Sequence, residues 1–505
     1  MDCFLGIDLG TSSVRVLALD STGSVLAVHA REYEIRQPYP GYAEQLPEDW
    51  WQATCECMQW VLSTESVRTA RIRSIGLSGQ MHGLVLLDSD GYPLRDAIIW
   101  PDRRTAGICT EWLQDIGAEF INSITGLPLA SGFFAVSLAW VKRYEPQVYR
   151  RVAHALLPKD YIRYRLTGLL ATDTTDASGT LLFNIFEKNW SNQLIKVFNL
   201  DDYFLPSIQE PTALAGELTV EAAEDTGLKP GTPVAIGGAD QAMAAISLGV
   251  CRPGVVAIAI STGGTVITAI DRPLQDFRVH TLCHIYPNLR ILMGATLSAG
   301  LSLSWFAKNV HIISSDSYTE TDSPNIEELT SGAEKISPGS EDLIFTPYLC
   351  GERTPYMDPN ARGCFIGLSL RHTHFHMVRS IMEGVAYSLC ESLDIFHELD
   401  VPVNKVICSG GGSRSSLWRQ IQADIYGVSV TWNRGEEHSA TGAAIVAGIA
   451  IGESGLNAAA RNRMMDVTEP RHENTRLYNS QRKIFKRIYP QLAGIFHDLS
   501  KSRDR

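Results

Sequence analysis

No Gly-Lys dipeptide occurs anywhere in this chain, which excludes a phosphate loop of the GxxxxGK[ST] kind. A protein-kinase catalytic loop is missing as well. Positive charge is in short supply: 44 Lys and Arg against 56 Asp and Glu leave a formal net charge of −12. No Lys/Arg run offsets that balance, so neither nucleic acid nor an anionic membrane is an expected partner. Long apolar runs are absent too. The longest tract, around Ala443 to Ile451, is too short to span a bilayer and reads as a buried helix. The stretch after Met1 has no basic region, and Asp8 breaks its first apolar run, which is not a secretory pattern. The ten cysteines follow no repeating spacing, so no zinc or redox signature exists and reduced thiols in a cytoplasmic protein are expected. What remains is ordinary for a soluble globular enzyme, 45% hydrophobic and 20% charged, with length for roughly two to four domains.

Asp8 is the most informative residue. An apolar run, Phe4 to Ile7, delivers it to a Gly10-Thr11-Ser12-Ser13 turn, and an alternating strand leaves through Val14, Val16, Leu17 and Leu19. Glycine lets backbone amides approach a phosphate, and the hydroxyls of Thr11, Ser12 and Ser13 add donors. A carboxylate beside such a turn is placed to hold hydrated Mg²⁺ against a nucleotide; the alternative is an ordinary hairpin. The second half repeats the device. Val255 to Ile260 is an apolar strand, followed by Ser261-Thr262-Gly263-Gly264 and a returning strand, Thr265 to Ile270. Two such hairpins facing across a cleft would clamp a polyphosphate, unless their likeness is accidental.

Between and beyond them, strand and helix patterns alternate, which predicts an α/β protein with partly parallel sheets. A helix is expected from Pro47 to about Leu62, strands at Ile72 to Leu77, Leu84 to Leu87 and Ala97 to Trp100, and helices from about Ala106 to Leu166. The chain starts afresh around Val250 to Gly254, so a domain boundary is placed there, and Ile313 to Gly339 reads as a polar surface excursion. Ligands sit at the carboxyl ends of strands in such sheets. Asp8, His82, Asp102, Asp240, Thr262 and Gly411 all fall at expected strand ends, the main argument for one composite site.

Asp240 follows Gly237-Gly238-Ala239 and precedes an Ala-rich helix, so it is a candidate general base, with simple helix capping as the competing role. His82 is a candidate hydrogen-bond donor to a substrate hydroxyl, or a solvated loop residue. Asp102 with Arg104 is a site pair or a surface salt bridge. His372, His374 and His376 lack a completing cluster and read as a surface feature. Gly410-Gly411-Gly412 invites a dinucleotide reading, but Ser415 stands where the last fingerprint glycine belongs, so a base or ribose fits better.

Several motifs in order resemble the FGGY carbohydrate kinases, within the actin-like and hexokinase-like ATPases. They are Gly6-Ile7-Asp8-Leu9-Gly10-Thr11, Gly79-Gln80-Met81-His82-Gly83, Gly238-Ala239-Asp240, Gly351-Glu352-Arg353-Thr354-Pro355 with Arg362 to Leu368, and Gly410-Gly411-Gly412 through Gln420. Gln80 to Gly83 and Leu156 to Tyr161 look most like the xylulokinase branch. The resemblance implies two actin-like, ribonuclease-H-like α/β domains flanking a central cleft, residues 1–249 for sugar and 250–505 for nucleotide. It implies ATP and Mg²⁺, with Asp240 as catalytic base and Asp8 and Asp240 serving the metal. Met81, His82, Trp100, Asp102, Asp240 and Gln241 would meet the sugar. Thr11, Ser12, Arg15, Thr262, Gly263 and Gly300 would line the phosphates, and Gly411, Gly412 and Ser415 the adenosine. The implied reaction phosphorylates a terminal hydroxyl of a ketopentose, D-xylulose first, with D-ribulose, gluconate or another polyol-like sugar as alternatives. A homodimer is left open.

Two departures stand out. Xylulokinases usually carry Asn where this chain has Pro101, which removes a donor and fixes φ; this leaves the sugar open. Ser261 stands where Gly usually precedes the second Thr. Rival classes are an actin-like ATPase acting through filament assembly or partner binding, and a nicotinamide-dependent dehydrogenase built on residues 410–412.

Overall fold

The computed structural model describes residues 1–310, 326–433, 435, 437–453, 455–456 and 465–501. The chain divides into two compact units. The first comprises Met1–Cys251, Ile270–Ile291 and Glu437–Arg463; the second comprises Arg252–Ala269, Leu292–Glu436 and Met464–Arg505. The boundary expected at 249/250 lies beside the end of the first long segment, and the chain returns to the first unit twice. Local sequence pattern carries no signal for such returns.

The first unit is built on β1 (Asp2–Leu9), β2 (Ser13–Asp20), β3 (Val25–Glu32), β4 (Arg71–Gly79), β5 (Leu214–Glu217), β6 (Pro233–Ala235) and β7 (Gly238–Ala239). The strand order is β5-β6-β4-β1-β2-β3, with β7 paired to the end of β4. β1 and β2 form the expected antiparallel hairpin, while β1, β4 and β7 run parallel. Asp8 pairs with Ser78, and Ser78 with Gly238, so one row of the sheet ends at the residues that matter. β1 is buried almost throughout because both faces are covered. On one side Trp50, Trp51, Cys57 and Met58 of the helix Pro47–Ser63 join its core. On the other, helix His438–Ala450 lies directly on the sheet. A Cβ at Gly6 would stand 2.0 Å from the Ala440 carbonyl, and one at Gly76 2.0 Å from that of Ala443. The tract expected to be a buried helix is therefore one.

The second unit repeats the plan with β8 (Gly254–Ile260), β9 (Gly264–Ile270), β10 (Arg290–Thr296), β11 (Val403–Ser409), β12 (Val430–Asn433) and β13 (Met465–Thr468). Its strands follow the order β10-β9-β8-β11-β12-β13. β8 and β9 are the antiparallel hairpin, and β8 runs parallel to β11, Ala259 opposite Ser409. Among the described residues no helix is long and apolar enough to cross a membrane.

Two local expectations need correction. Of the supposed surface excursion, residues 313–325 lie outside the described residues, but Ile326–Glu334 is a helix that buries Leu329 and Ala333. These stand four apart and share one helical face. His376 is also not a surface residue: it is buried, and its Nδ1 accepts the Thr373 N–H at 3.1 Å, capping the helix His374–Glu398. The spacing that failed as a metal site is partly a capping box.

Candidate active site

In the first unit the turn after Asp8 is held from behind. Gly10 N donates to Ser13 O at 3.0 Å, Gln45 Nε2 to Thr11 O at 2.7 Å, and the Tyr33 hydroxyl to Gly10 O. Trp100 Nε1 donates to Thr11 Oγ1 at 2.8 Å. A hydroxyl that accepts from an indole keeps its own proton to donate. Thr11 is half-buried and Ser12 exposed, so both can meet a ligand. Arg15 stands opposite Asp8 in the hairpin and pairs with Glu437 at 3.0 Å.

Asp8 is buried and accepts the Ser78 hydroxyl at 2.7 Å. Burial raises its pKa, against the opposing pull of Ser78 and Arg15. Asp240 is the first residue of the helix Asp240–Leu248; the capping position belongs to Ala239, whose side chain caps nothing. Simple N-capping is thus not its role. Burial first, and the Asp8 charge second, push Asp240 up to about 7, while the backbone and side-chain amides of Gln241 favour its charged form. Asp8 raises Asp240 in a low-dielectric site, and the two carboxylates form a hard-oxygen donor set whose repulsion a divalent cation would cancel. The residues fit the metal.

His82 is not a solvated loop residue. It is buried at φ 71°, its ring stacks on Phe133 at 3.9 Å, and its Nδ1 lies 2.7 Å from the Gly179 carbonyl. A carbonyl only accepts, so Nδ1 carries the proton, and in the neutral ring Nε2 is an acceptor. Met81 packs beside it: a Cβ at Gly179 would lie 2.9 Å from Met81 Cε and 3.2 Å from the His82 ring.

Asp102 and Arg104 are not a surface pair either; their side chains are 0% and 1% exposed. Asp102 accepts from Ala43 N at 2.6 Å and Arg104 Nη2 at 2.7 Å, and Arg104 Nη1 reaches Glu44 at 2.7 Å. Burial opposes the Arg104 charge, but Asp102 and Glu44 outweigh it and raise its pKa. The guanidinium lies 3.7 Å over the Tyr42 ring and 4.9 Å over Trp140. Asp102 thereby fixes the 100–104 segment from inside. Pro101 sits in a turn closed by Asp102 N to Ile99 O at 3.0 Å, a bond that needs no N–H at 101. The proline costs the turn nothing, though no amide side chain stands there.

In the second unit the turn between β8 and β9 is closed by Ser261 N to Gly263 O at 2.9 Å. Ser261 has no positive φ, so serine is accommodated where glycine is usual. Helix Gly300–Asn309 begins against this turn, Gly300 N donating to Ser261 O at 2.7 Å and Leu301 N to Thr262 O at 3.1 Å. A Cβ at Gly300 would come 2.5 Å from Ser261 O, so only glycine allows the approach. A helix N-terminus meeting a hydroxyl-bearing turn is a ready anion site. On the neighbouring strand end, a Cβ at Gly412 would strike the Ile260 side chain, whereas Gly411 is exposed with open space beside it. Ser415 Oγ accepts the Trp418 N–H at 3.3 Å, capping helix Ser416–Tyr426.

Sequence reasoning overlooked the residues that support these turns. Glu352 is buried and accepts from Thr296 Oγ1 at 2.5 Å, Arg353 N at 2.7 Å and Leu297 N at 3.2 Å. The Thr296 carbonyl lies 2.8 Å from where a Gly263 Cβ would be, so Glu352 backs the 261–264 turn. Its motif was visible, but its role depends on a fold contact.

Residues 3–247 match the N-terminal domain and residues 256–451 the C-terminal domain of the FGGY family of carbohydrate kinases. The chain belongs to that family. It is similar to xylulose kinase of Bacillus subtilis (strain 168), 37% identical over 495 residues covering 97% of each chain. Gluconokinase of the same strain is 28% identical over 89% of this chain and 88% of its own. Among solved structures, xylulose kinase from Rhodospirillum rubrum has a TM-score of 0.90 at 28% identity, covering 98% of this chain and 100% of its own. Membership makes this FGGY protein a carbohydrate kinase with two sheet-containing α/β domains, and it displaces the filament-ATPase and dehydrogenase rivals.

Proposed function

We propose that this FGGY kinase transfers the γ-phosphoryl group of ATP to a terminal hydroxyl of a ketopentose, D-xylulose at C5, with Mg²⁺, in the cytoplasm where ATP is supplied. The observation that carries the reading is Asp240: a half-buried carboxylate held near neutrality, at a helix start, two residues after Gly238, which shares a sheet row with Asp8. Identity to xylulose kinases along nearly the whole chain supports the choice of sugar.

Asp240 takes the hydroxyl proton as that oxygen attacks the γ-phosphorus and the bond to ADP breaks, an effect of about 10²–10⁴-fold. Met81, His82 and the segment fixed by Asp102 orient the sugar. Thr11, Ser12 and Arg15 donate to phosphate oxygens from the first unit. Thr262, Gly263 and the Gly300 helix start do so from the second, where Gly411, Gly412 and Ser415 receive the adenosine. Mg²⁺ at Asp8 and Asp240 would spread the charge of the transferring group. A coupled ADP-release assay across D-xylulose, D-ribulose, gluconate and glycerol tests the reading. Turnover is expected to be highest with D-xylulose; preference for gluconate, the substrate named for one relative, would replace the acceptor and keep the chemistry.

A further inference from the structure

Beneath the turn that delivers Asp240 lies a buried charge cluster that none of these steps uses. Lys159 Nζ, fully buried, stands 2.6 Å from Asp160, 2.9 Å from Asp173 and 3.4 Å from Asp176. Arg163, equally buried, reaches Asp160 at 2.8 Å and the Ile236 carbonyl at 3.3 Å. The three carboxylates are close enough to hold a metal ion, but the lysine ammonium already stands among them. Two cations stand among three carboxylates, which leaves one negative charge unmatched. Burial drives the pKa of Asp176 well up against the pull of Lys159, and Asp173, Asp160 and Asp240 add to the rise.

A short path leads from this cluster to the active turn. Asp173 Oδ1 accepts from Thr175 N at 2.7 Å and Asp176 N at 3.2 Å, and it also takes the Thr175 hydroxyl proton. With its proton committed, Thr175 Oγ1 accepts the N–H of Ala239, the residue before Asp240, at 2.8 Å. The fit leaves no slack: a Cβ at Gly238 would lie 2.6 Å from Thr175 Oγ1 and 3.4 Å from Asp173 Oδ1.

We propose that Thr175, oriented by Asp173 and Lys159, is a positioning residue that sets where the 238–240 backbone ends and so where the Asp240 carboxylate meets the acceptor hydroxyl. The inference rests on Asp240 being the base. A misplacement of about 1 Å at a reacting group costs on the order of 10²-fold in rate. Binding surfaces supplied by other elements should be spared.

The test compares full-length wild type with Thr175→Val, Thr175→Ser and Gly238→Ala, in kinetics with D-xylulose and Mg·ATP and in ADP binding by calorimetry. Valine keeps the shape and loses both hydrogen bonds; serine keeps the hydroxyl; alanine at 238 pushes the turn away while leaving the cluster intact. Expected is a fall in kcat of about 10- to 100-fold for Thr175→Val and Gly238→Ala, with KM for sugar and Kd for ADP within about threefold. Thr175→Ser should recover most of the rate. A merely structural role predicts less soluble protein at unchanged kcat, and that outcome in either soluble variant overturns the proposal, as does a serine variant as slow as valine. Should wild type phosphorylate no sugar in the panel, the base reading itself fails and takes this inference with it.

Discussion

The indole nitrogen of Trp100 donates to Thr11 Oγ1 across 2.8 Å, tying the segment fixed by Asp102 to the turn that follows Asp8. Trp100→Phe removes that donor and keeps the ring. A neutral hydrogen bond is worth about 1 kcal/mol net, so KM for sugar and for ATP should both rise roughly fivefold. Steady-state kinetics with each substrate varied in turn checks this; a change confined to one substrate would separate the two turns.

Asp240→Asn is the isosteric test of the base. The amide cannot take the proton, and kcat should fall by about 10²–10⁴-fold. ADP affinity, measured calorimetrically, should change little. Near-native turnover would remove Asp240 from its role.

The acidity of Asp240 predicts a joint dependence on pH and metal. Its carboxylate is pushed up to about 7 by burial and by Asp8, and it must be ionised to act. Activity should therefore rise with pH through that region, with a limiting slope of about tenfold per unit on the acid side. A divalent cation cancels the Asp8 charge, so the acid limb should move to lower pH as Mg²⁺ is raised to saturation. Profiles at two Mg²⁺ concentrations decide it, and superimposable limbs would remove Asp8 as a cause.

Stability should also respond to pH through Glu391. Burial pushes this carboxyl up to about 8, and it accepts the Tyr356 hydroxyl at 2.6 Å. The folded state thus binds its proton more tightly than the unfolded chain does, where the value is about 4.3. Its contribution is complete below the unfolded value and is lost as pH rises through the folded one. The melting temperature of the ligand-free protein should decline from about pH 5 to 8.5, and less steeply in Glu391→Gln. Equal slopes in calorimetry would assign the decline elsewhere.

Much of the site could be read along the chain because its turns are local. Strand, glycine, hydroxyl and returning strand lie within a dozen residues at Asp8 and again at Thr262, and the observed hairpins match. Capping chemistry was harder to place: Asp240 opens its helix instead of capping it, and His376, read as a surface residue, closes a capping box, since one residue of phase decides a cap. His82 and Asp102 admitted a solvated alternative, because burial is contributed by partners far away in sequence, Gly179 for one and Ala43 for the other.

By itself the sequence determined the hairpins, the alternation of strands and helices and the family, since each depends on neighbours along the chain and on motif order. Tertiary structure alone decided which acid became basic, which imidazole nitrogen holds a proton, and that Lys159 stands under the turn of Asp240. Desolvation and hydrogen-bond direction are set by atoms brought together from distant segments, and no local pattern encodes them.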